Sequence, residues 1–333
     1  MIDDAHKVML ETIVADGLVE RGTAALRPLT GGVSSEIYLV TDRSQRFVVK
    51  RALEKLNVAD EWFADVSRNR SEADYMAYVG DFAPHSVPRM IHRGDGYFAM
   101  EFLGDGFENW KSLLLAGGCR REHAAMAAQL LAQIHARSRG DEQARTLFDN
   151  AENFFQLRIE PYLIMTGKRC PELQGLFASE AKRLDQTHEC LVHGDYSPKN
   201  IMIAGDRMVV LDCEVANYGD PAFDYCFLIN HLLLKGLYHL PDDVGSEHCV
   251  REFRERYRMH CGLDEDLFRD FSVRAGRLLA MLMLARVDGK SPVEYLHNEG
   301  ARQRVRDFVN TVLQEKQLDD TRLVAQWFEH LWE

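Results

Sequence analysis

Residues 191–200 read LVHGDYSPKN, a short apolar stretch that runs directly into a polar turn. The turn sets a carboxylate, Asp195, five residues ahead of an amide, Asn200. A carboxylate so placed can orient a hydroxyl or take its proton, and the amide can reach a divalent cation that holds phosphate oxygens. A second acidic element follows in residues 209–214, VVLDCE, where Asp212 ends another apolar run and Glu214 stands two residues on. Magnesium commonly takes one or two carboxylates together with phosphate oxygens and water. Asn200, Asp212 and Glu214 are therefore candidate metal ligands, and Asp195 is the candidate catalytic group.

His193, Gly194, Asp195 and Asn200 match, residue for residue, the loop of the aminoglycoside phosphotransferase and choline kinase superfamily, which this chain resembles. GDPAFD, residues 219–224, is similar to the same group, in which an Asp-Pro pair opens a helix beneath the catalytic loop. The resemblance runs from the glycine pair near residue 31 to the end of a helix near Lys235. It implies a two-lobed, protein-kinase-like α+β fold. Residues 1–103 would form a nucleotide-binding lobe, a small antiparallel five-stranded sheet with a helix. Residues 104–333 would form a larger, mainly helical lobe with the catalytic loop, the metal site and the acceptor-binding helices.

The resemblance implies ATP and Mg2+ as cofactors and a hydroxyl-bearing small molecule as acceptor. Asp195 would orient that hydroxyl, Asn200 and Asp212 would hold the metal, and His193, counted with the catalytic loop, would buttress it by hydrogen bonds. By the same likeness Asp224 accepts hydrogen bonds from the loop backbone, while Asp220 caps the helix that Pro221 begins. Two departures matter. Ser197 stands where many aminoglycoside phosphotransferases have His and protein kinases have Lys, so neither phosphate contact carries over. Asp212-Cys213-Glu214 replaces Asp-Phe-Gly, and this D-x-E form looks like the metal motif of methylthioribose kinases, which makes Glu214 a second carboxylate ligand.

The amino-terminal part supplies candidates for the nucleotide. In LTGGVSSE, residues 29–36, the backbone of Gly31 and Gly32 and the hydroxyls of Ser34 and Ser35 can close over phosphates. Glycines between two strands equally well make only a turn. Lys50 ends FVVK, where the resemblance places the lysine that contacts the α- and β-phosphates, with Glu72 of RNRSEADYMAY as its ion-pair partner ahead of Glu61 and Asp65. Glu101 and Leu103, at the end of GYFAMEFL, would offer a carbonyl and an N–H to the adenine edge. Apolar spacing predicts a helix over 5–20, strands over 24–30, 36–41, 46–51, 87–92 and 97–103, and a helix over 60–78. After a polar hinge, GDGFENW, it predicts helices over 122–136, 225–235, 249–261, 266–287, 301–315 and 321–331.

Bulk properties narrow the classes. The chain has 333 residues, 46% hydrophobic and 28% charged, which is ample for two cores. A net charge of −12 disfavours a nucleic-acid partner, since that binding depends on basic residues displacing counterions. Seven cysteines without a C-x-x-C pair predict reduced thiols and a cytoplasmic location. The amino terminus, MIDDAHKVML, does not read as a secretory signal. The longest apolar run, Leu278 to Ala285, is far short of the roughly 20 residues of a membrane span, so no membrane partner is expected. Thirteen histidines show no H-E-x-x-H spacing. GDPAFD follows Asp212 within a dozen residues, leaving no room for the activation loop of a protein kinase. A pseudokinase scaffold is the non-enzymatic rival. For the acceptor, Asp242, Asp243, Glu247, Asp264, Glu265 and Asp266 would suit a cation, but Arg251, Arg254, Arg256 and Arg258 interleave with them.

Overall fold

The structure is a computed structural model that describes residues 4–29, 35–43, 45–52, 68–242 and 245–331. It divides into two compact units, Met1–Phe107 and Glu108–Glu333. In the first, α1 (Asp4–Ala15) precedes β1 (Ala24–Pro28), β2 (Ser35–Asp42) and β3 (Gln45–Ala52); α2 (Arg68–Gly80), β4 (Met90–Arg93) and β5 (Tyr97–Glu101) follow. The five strands form one antiparallel sheet in the order β1-β2-β3-β5-β4.

Side chains on a strand alternate between faces, and the core of this unit shows the alternation directly. Tyr38 and Val40, Phe47 and Val49, and Tyr97 and Ala99 pack in one buried cluster with Met9 and Ile13 of α1. Lys50, next to Val49, therefore belongs to the other face. The first helix stops at Ala15, earlier than the spacing predicts, because Gly17 adopts φ +73° and Leu18 N–H closes back on the Ile13 carbonyl at 3.0 Å. The strand expected from Val87 starts only at Met90: Pro88 has no N–H to give a ladder, and a register shift lies between Met90 and His92. Of the helix expected over 60–78, residues 60–67 lie outside the described residues.

The second unit opens with β6 (Glu108–Asn109) and α3 (Trp110–Leu115), so the end of the expected hinge is ordered: Asn109 caps α3 through Ser112 N–H and pairs with Met202. There follow α4 (Arg121–Ser138), α5 (Glu142–Leu147), α6 (Ala151–Phe154), a π-helical stretch over Phe155–Ile164, α7 (Met165–Arg169) and α8 (Gln174–Asp185). Next come β7 (Cys190–Val192), a 3-10 turn at Pro198–Asn200, β8 (Ile201–Ala204), β9 (Arg207–Val210) and β10 (Asn217–Gly219). The chain then runs through α9 (Ala222–His239), α10 (Ser246–His260), α11 (Glu265–Asp288), α12 (Glu299–Val312) and α13 (Asp320–Leu331).

α9 is buried on every side from Ala222 to Leu237, and it is mostly apolar, with Asp224, Asn230, His231 and Lys235 as its buried polar residues. The apolar run Leu278–Ala285 lies wholly inside α11 and is buried as well. Among the described residues no helix is long and apolar enough to cross a membrane. Trp110, Trp327 and Tyr162 are likewise buried. Trp332 lies outside the described residues.

α11 passes so close to the start of α13 that a methyl group on Gly276 would sit 2.5 Å from the Leu318 carbonyl oxygen. Gly276→Ala should therefore destabilise the protein by about 1–3 kcal/mol despite its better helix propensity. Urea unfolding measures this, and a variant as stable as the parent would contradict the close approach.

Candidate active site

The candidate catalytic loop begins where β7 ends. β7 is fully buried and pairs with β10, Val192 opposite Asn217, while Leu191 N–H donates to Ser138 Oγ of α4 at 2.9 Å. Beyond Val192 the ladder stops, and one side chain takes over its role. Asp224, in the first turn of α9, accepts from His193 N–H at 2.6 Å and from Gly194 N–H at 2.9 Å, one carboxylate oxygen each. Gly194 has φ +78°, and a Cβ there would meet the Val215 carbonyl oxygen at 2.6 Å, so only glycine fits. The capping role expected of Asp220 is also seen: its Oδ1 accepts from Ala222 N–H at 2.9 Å.

His193 is spent on the loop itself. Its Nδ1 accepts from Asp195 N–H at 3.1 Å, which leaves Nε2 to carry the proton and donate to the Leu211 carbonyl at 3.2 Å. Burial pushes its pKa below the ordinary value, with Asp224 and Asp195 opposing, so the ring is neutral. His193 thus ties the catalytic turn to the strand end that carries Asp212.

Asp195 is buried and held between two cations. Arg158 Nη2 lies 3.1 Å from Oδ2, Lys199 Nζ lies 2.9 Å from the same oxygen, and Ser197 Oγ donates to Oδ1 at 3.4 Å. Burial alone would raise the carboxyl's pKa, but the Lys199 and Arg158 charges more than offset it and hold it well below the usual carboxylate range. Lys199 is half exposed, and Asp195 raises its pKa. Sequence reasoning missed Arg158. It sits in the π-helical stretch, where its Nε also donates to the Gly194 carbonyl, and nothing in FQLRIEPYL marks it.

Asn200 ends the 3-10 turn and is buried. Its amide nitrogen donates to the Asp195 carbonyl at 3.0 Å, which leaves its amide oxygen as the group available to a hard cation. Its own carbonyl accepts from Leu211 N–H at 2.8 Å. Asp212 follows with φ +62°, a left-handed conformation that costs a non-glycine residue about 1 kcal/mol and that Asp tolerates better than most. The turn that needs this conformation sets Asp212 and Glu214 off the end of β9. Among the described residues no three His, Cys, Asp or Glu side chains group as a metal site. The donor set, one amide oxygen with Asp212 and Glu214, still fits an ion that completes its shell with phosphate and water oxygens.

In the first unit, Lys50 and Glu72 form an ion pair at 2.7 Å with side chains only 4% and 3% exposed. Asn69 fixes the start of α2 by donating to the Gly96 carbonyl at 2.9 Å. Ser35 is buried at the head of β2, opposite Ala52. Gly31, Gly32 and Ser34 lie outside the described residues, as do Glu61 and Asp65. Glu101 closes β5 opposite Phe47, and its carboxylate accepts from Arg89 N–H at 3.2 Å. Leu103 comes just before Gly104, whose φ is +82°. Four of the six acids considered for a cationic acceptor are engaged elsewhere: Glu247 pairs with Arg251, Glu265 with Arg258 and Asp266 with Arg269, and Asp264 caps α11. Asp242 lines a small cavity with Lys235 and His239, and Asp243 lies outside the described residues.

Residues 25–238 match the model of a family described as the phosphotransferase enzyme family. The chain belongs to the phosphotransferase enzyme family. All the site residues above fall within the family match. The methylthioribose kinase of Yersinia enterocolitica is 26% identical over 220 residues, covering 57% of this chain and 54% of that protein. The chain thus spans about half the length of the curated relatives it matches. Two solved kinases share the fold. Amicoumacin kinase in complex with AMP-PNP and Ca2+ has a TM-score of 0.62 at 12% identity over 96% of each chain. The ethanolamine kinase of Plasmodium vivax has a TM-score of 0.53 at 12% identity, over 99% of this chain and 88% of that one. The likeness shows a two-lobed, kinase-like α+β fold in this family member, as its sequence implied.

Two expectations follow. Lys50→Met should cost about 3–5 kcal/mol by stranding a buried carboxylate, and Lys50→Met with Glu72→Leu should recover most of it. Chemical unfolding of both variants checks this, and additive losses would contradict a coupled pair. For Asp195, a folded pKa below the usual 3.8 means a stabilising contribution complete above that value and lost only as pH falls toward the folded value. Arg158→Gln should raise the Asp195 pKa in a carboxylate carbon-shift titration and move acid unfolding to higher pH.

Proposed function

We propose that this protein transfers the γ-phosphoryl group of ATP to a hydroxyl group of a small molecule. The observation that carries the reading is a buried, ionised Asp195 on a loop that Asp224 holds by two backbone bonds, next to Asn200 and Asp212. With so low a pKa Asp195 is a weak base. It orients the acceptor hydroxyl by accepting its hydrogen bond and takes the proton only as the new O–P bond forms, which suits the loose transition state of phosphoryl transfer. The bond between the γ-phosphorus and the β–γ bridging oxygen breaks, ADP leaves with those electrons, and the proton passes through Asp195 to solvent.

Lys199 stands at the same carboxylate and is half exposed, so its ammonium can follow the transferring phosphoryl group. Asn200, Asp212 and Glu214 would hold a divalent cation, with Mg2+ as the assignment we favour; when bound it neutralises the phosphate charge. Lys50, kept in place by Glu72, takes the α- and β-phosphates. Gly31, Gly32, Ser34 and Ser35 close over them, and the backbone of Glu101 and Leu103 meets the adenine. His193 acts by positioning the loop. Cysteines held as thiols and the use of ATP fit a cytoplasmic enzyme.

A protein substrate is disfavoured because β10 and the Asp220 cap lead straight from Asp212 into α9. A pseudokinase is disfavoured because neither the carboxylate nor the candidate metal ligands are missing. Asp195→Asn should lower ADP formation about 10²–10⁴-fold while nucleotide binding holds. Unchanged turnover in a coupled ADP assay would remove Asp195 from the mechanism.

A further inference from the structure

Inside the second unit two cations are buried without a counter-ion among the described residues. Lys235, on α9, is 3% exposed; its Nζ lies 3.4 Å from the Tyr295 hydroxyl and 4.6 Å from that ring's centroid. Arg286, on α11, is 8% exposed; its Nη1 reaches the Tyr162 hydroxyl at 3.2 Å and Ser291 Oγ at 3.0 Å, and its Nε has no partner. Neither forms an ion pair with a carboxylate among the described residues. The charged groups that act on Lys235 are Arg286, Lys111 and Glu294, and Glu294 is already paired with Lys111. One carboxylate thus stands against three cations.

Buried charge is unfavourable unless paired. The sequence nevertheless places both cations in the interior, and Lys235 lies one turn of α9 beyond His231, whose Nδ1 is also buried without a partner. His231 feels the charges of Lys235 and Arg286 on one side and of Asp195 and Lys199 on the other. Its ring packs on Phe227, and Phe227 on Tyr162, which completes a wall back to Arg286. Lys235 lies about 16 Å along α9 from Asp224, and helical side chains lean toward the helix N-terminus, here toward the catalytic loop. Tyr295 also lines a cavity of about 740 Å3, so the cluster is one side chain away from open volume.

Resting on the phosphotransferase reading above, we propose that Lys235 and Arg286 form a subsite for an oxyanion carried by the acceptor, a carboxylate or a phosphate monoester. The acceptor is then a hydroxyl compound whose anionic end lies on the order of 10 Å from the hydroxyl that Asp195 receives, and His231 lines the path between them. An oxyanion supplies the charge that the interior lacks. Without it, burial and the neighbouring Lys111 and Arg286 push the Lys235 pKa down to about 7. Of the acids considered for a cationic acceptor, Glu247, Glu265 and Asp266 are engaged in ion pairs and Asp264 in a helix cap; Asp242 lines a small cavity with Lys235 without an ion pair to it.

The test uses ω-hydroxycarboxylates of increasing chain length, ω-hydroxyalkyl phosphates and the uncharged α,ω-diols, assayed by ATP-dependent ADP release and by thermal shift. The parent protein, Lys235→Met and Arg286→Met are compared. The parent should favour the anionic compounds over the diols with an optimum chain length, and Lys235→Met should lower that kcat/KM ratio about 30-fold or more. Free of ligand, Lys235→Met should melt no lower than the parent, because an unpaired buried cation is replaced by an apolar side chain of similar shape. The carboxylate and phosphate arms identify which oxyanion is preferred. Diols that match the anions, or a ratio that survives Lys235→Met, would overturn the subsite. If no compound releases ADP, the phosphotransferase reading fails, and thermal shift then decides the subsite alone. Stabilisation by an anionic compound that Lys235→Met abolishes supports it, and no stabilisation of the parent by any anion refutes it. Arg286→Met could lose the Ser291 contact and fold poorly, so Lys235→Met is the deciding variant.

Discussion

A single carboxylate anchors the second unit's chemistry. Asp224 takes two consecutive backbone N–H groups, of His193 and Gly194, at the point where β7 leaves its ladder. Charge-assisted bonds of this kind are roughly twice as strong as neutral ones, and here they are buried, so the turn has few alternatives. Because Asp224 is fixed on α9, the position of Asp195 is set by the most deeply buried helix of the unit. His135, neutral through burial and bonded to Tyr257, packs 3.6 Å from the same carboxylate and closes its far side. The loop is therefore carried by the core and needs no support from the surface.

Charge is distributed unevenly through this interior, and the unevenness follows the chemistry. Lys50 and Glu72 balance each other, as do Arg254 with Asp320 and Arg183 with Asp220. Around Asp195 two cations share one carboxylate oxygen, leaving an excess of positive charge where a phosphoryl group would arrive. Deeper in the unit, Lys235 on α9 and Arg286 on α11 form no ion pair among the described residues.

Most of the fold was legible because its signals are local. The strands of the first unit alternate at period two, and α10 through α13 carry clear helical spacing. The differences arose where a backbone detail overrode the pattern: Gly17 ended α1 early, and Pro88 delayed β4. The loop HGDYSPKN was readable because Gly194, Pro198 and Asn200 do local backbone jobs that few other residues can do. Arg158 was not readable. Its guanidinium reaches Asp195 only because a π-helical stretch brings it there from well upstream in the chain, and one arginine among many has no signature.

The sequence by itself determined the membership, the two-unit α+β architecture, the turn after β7 and the Lys50–Glu72 partnership, because short-range spacing and single obligatory residues encode them. Tertiary structure alone decided which charges meet. It gave Asp195 its two cations, divided β7 and β9 between separate sheets, committed Glu247, Glu265 and Asp266 to neighbouring arginines, and buried Lys235 and Arg286. The physical reason is that Coulomb energy depends on distance and burial, and neither quantity is written in the order of residues along the chain.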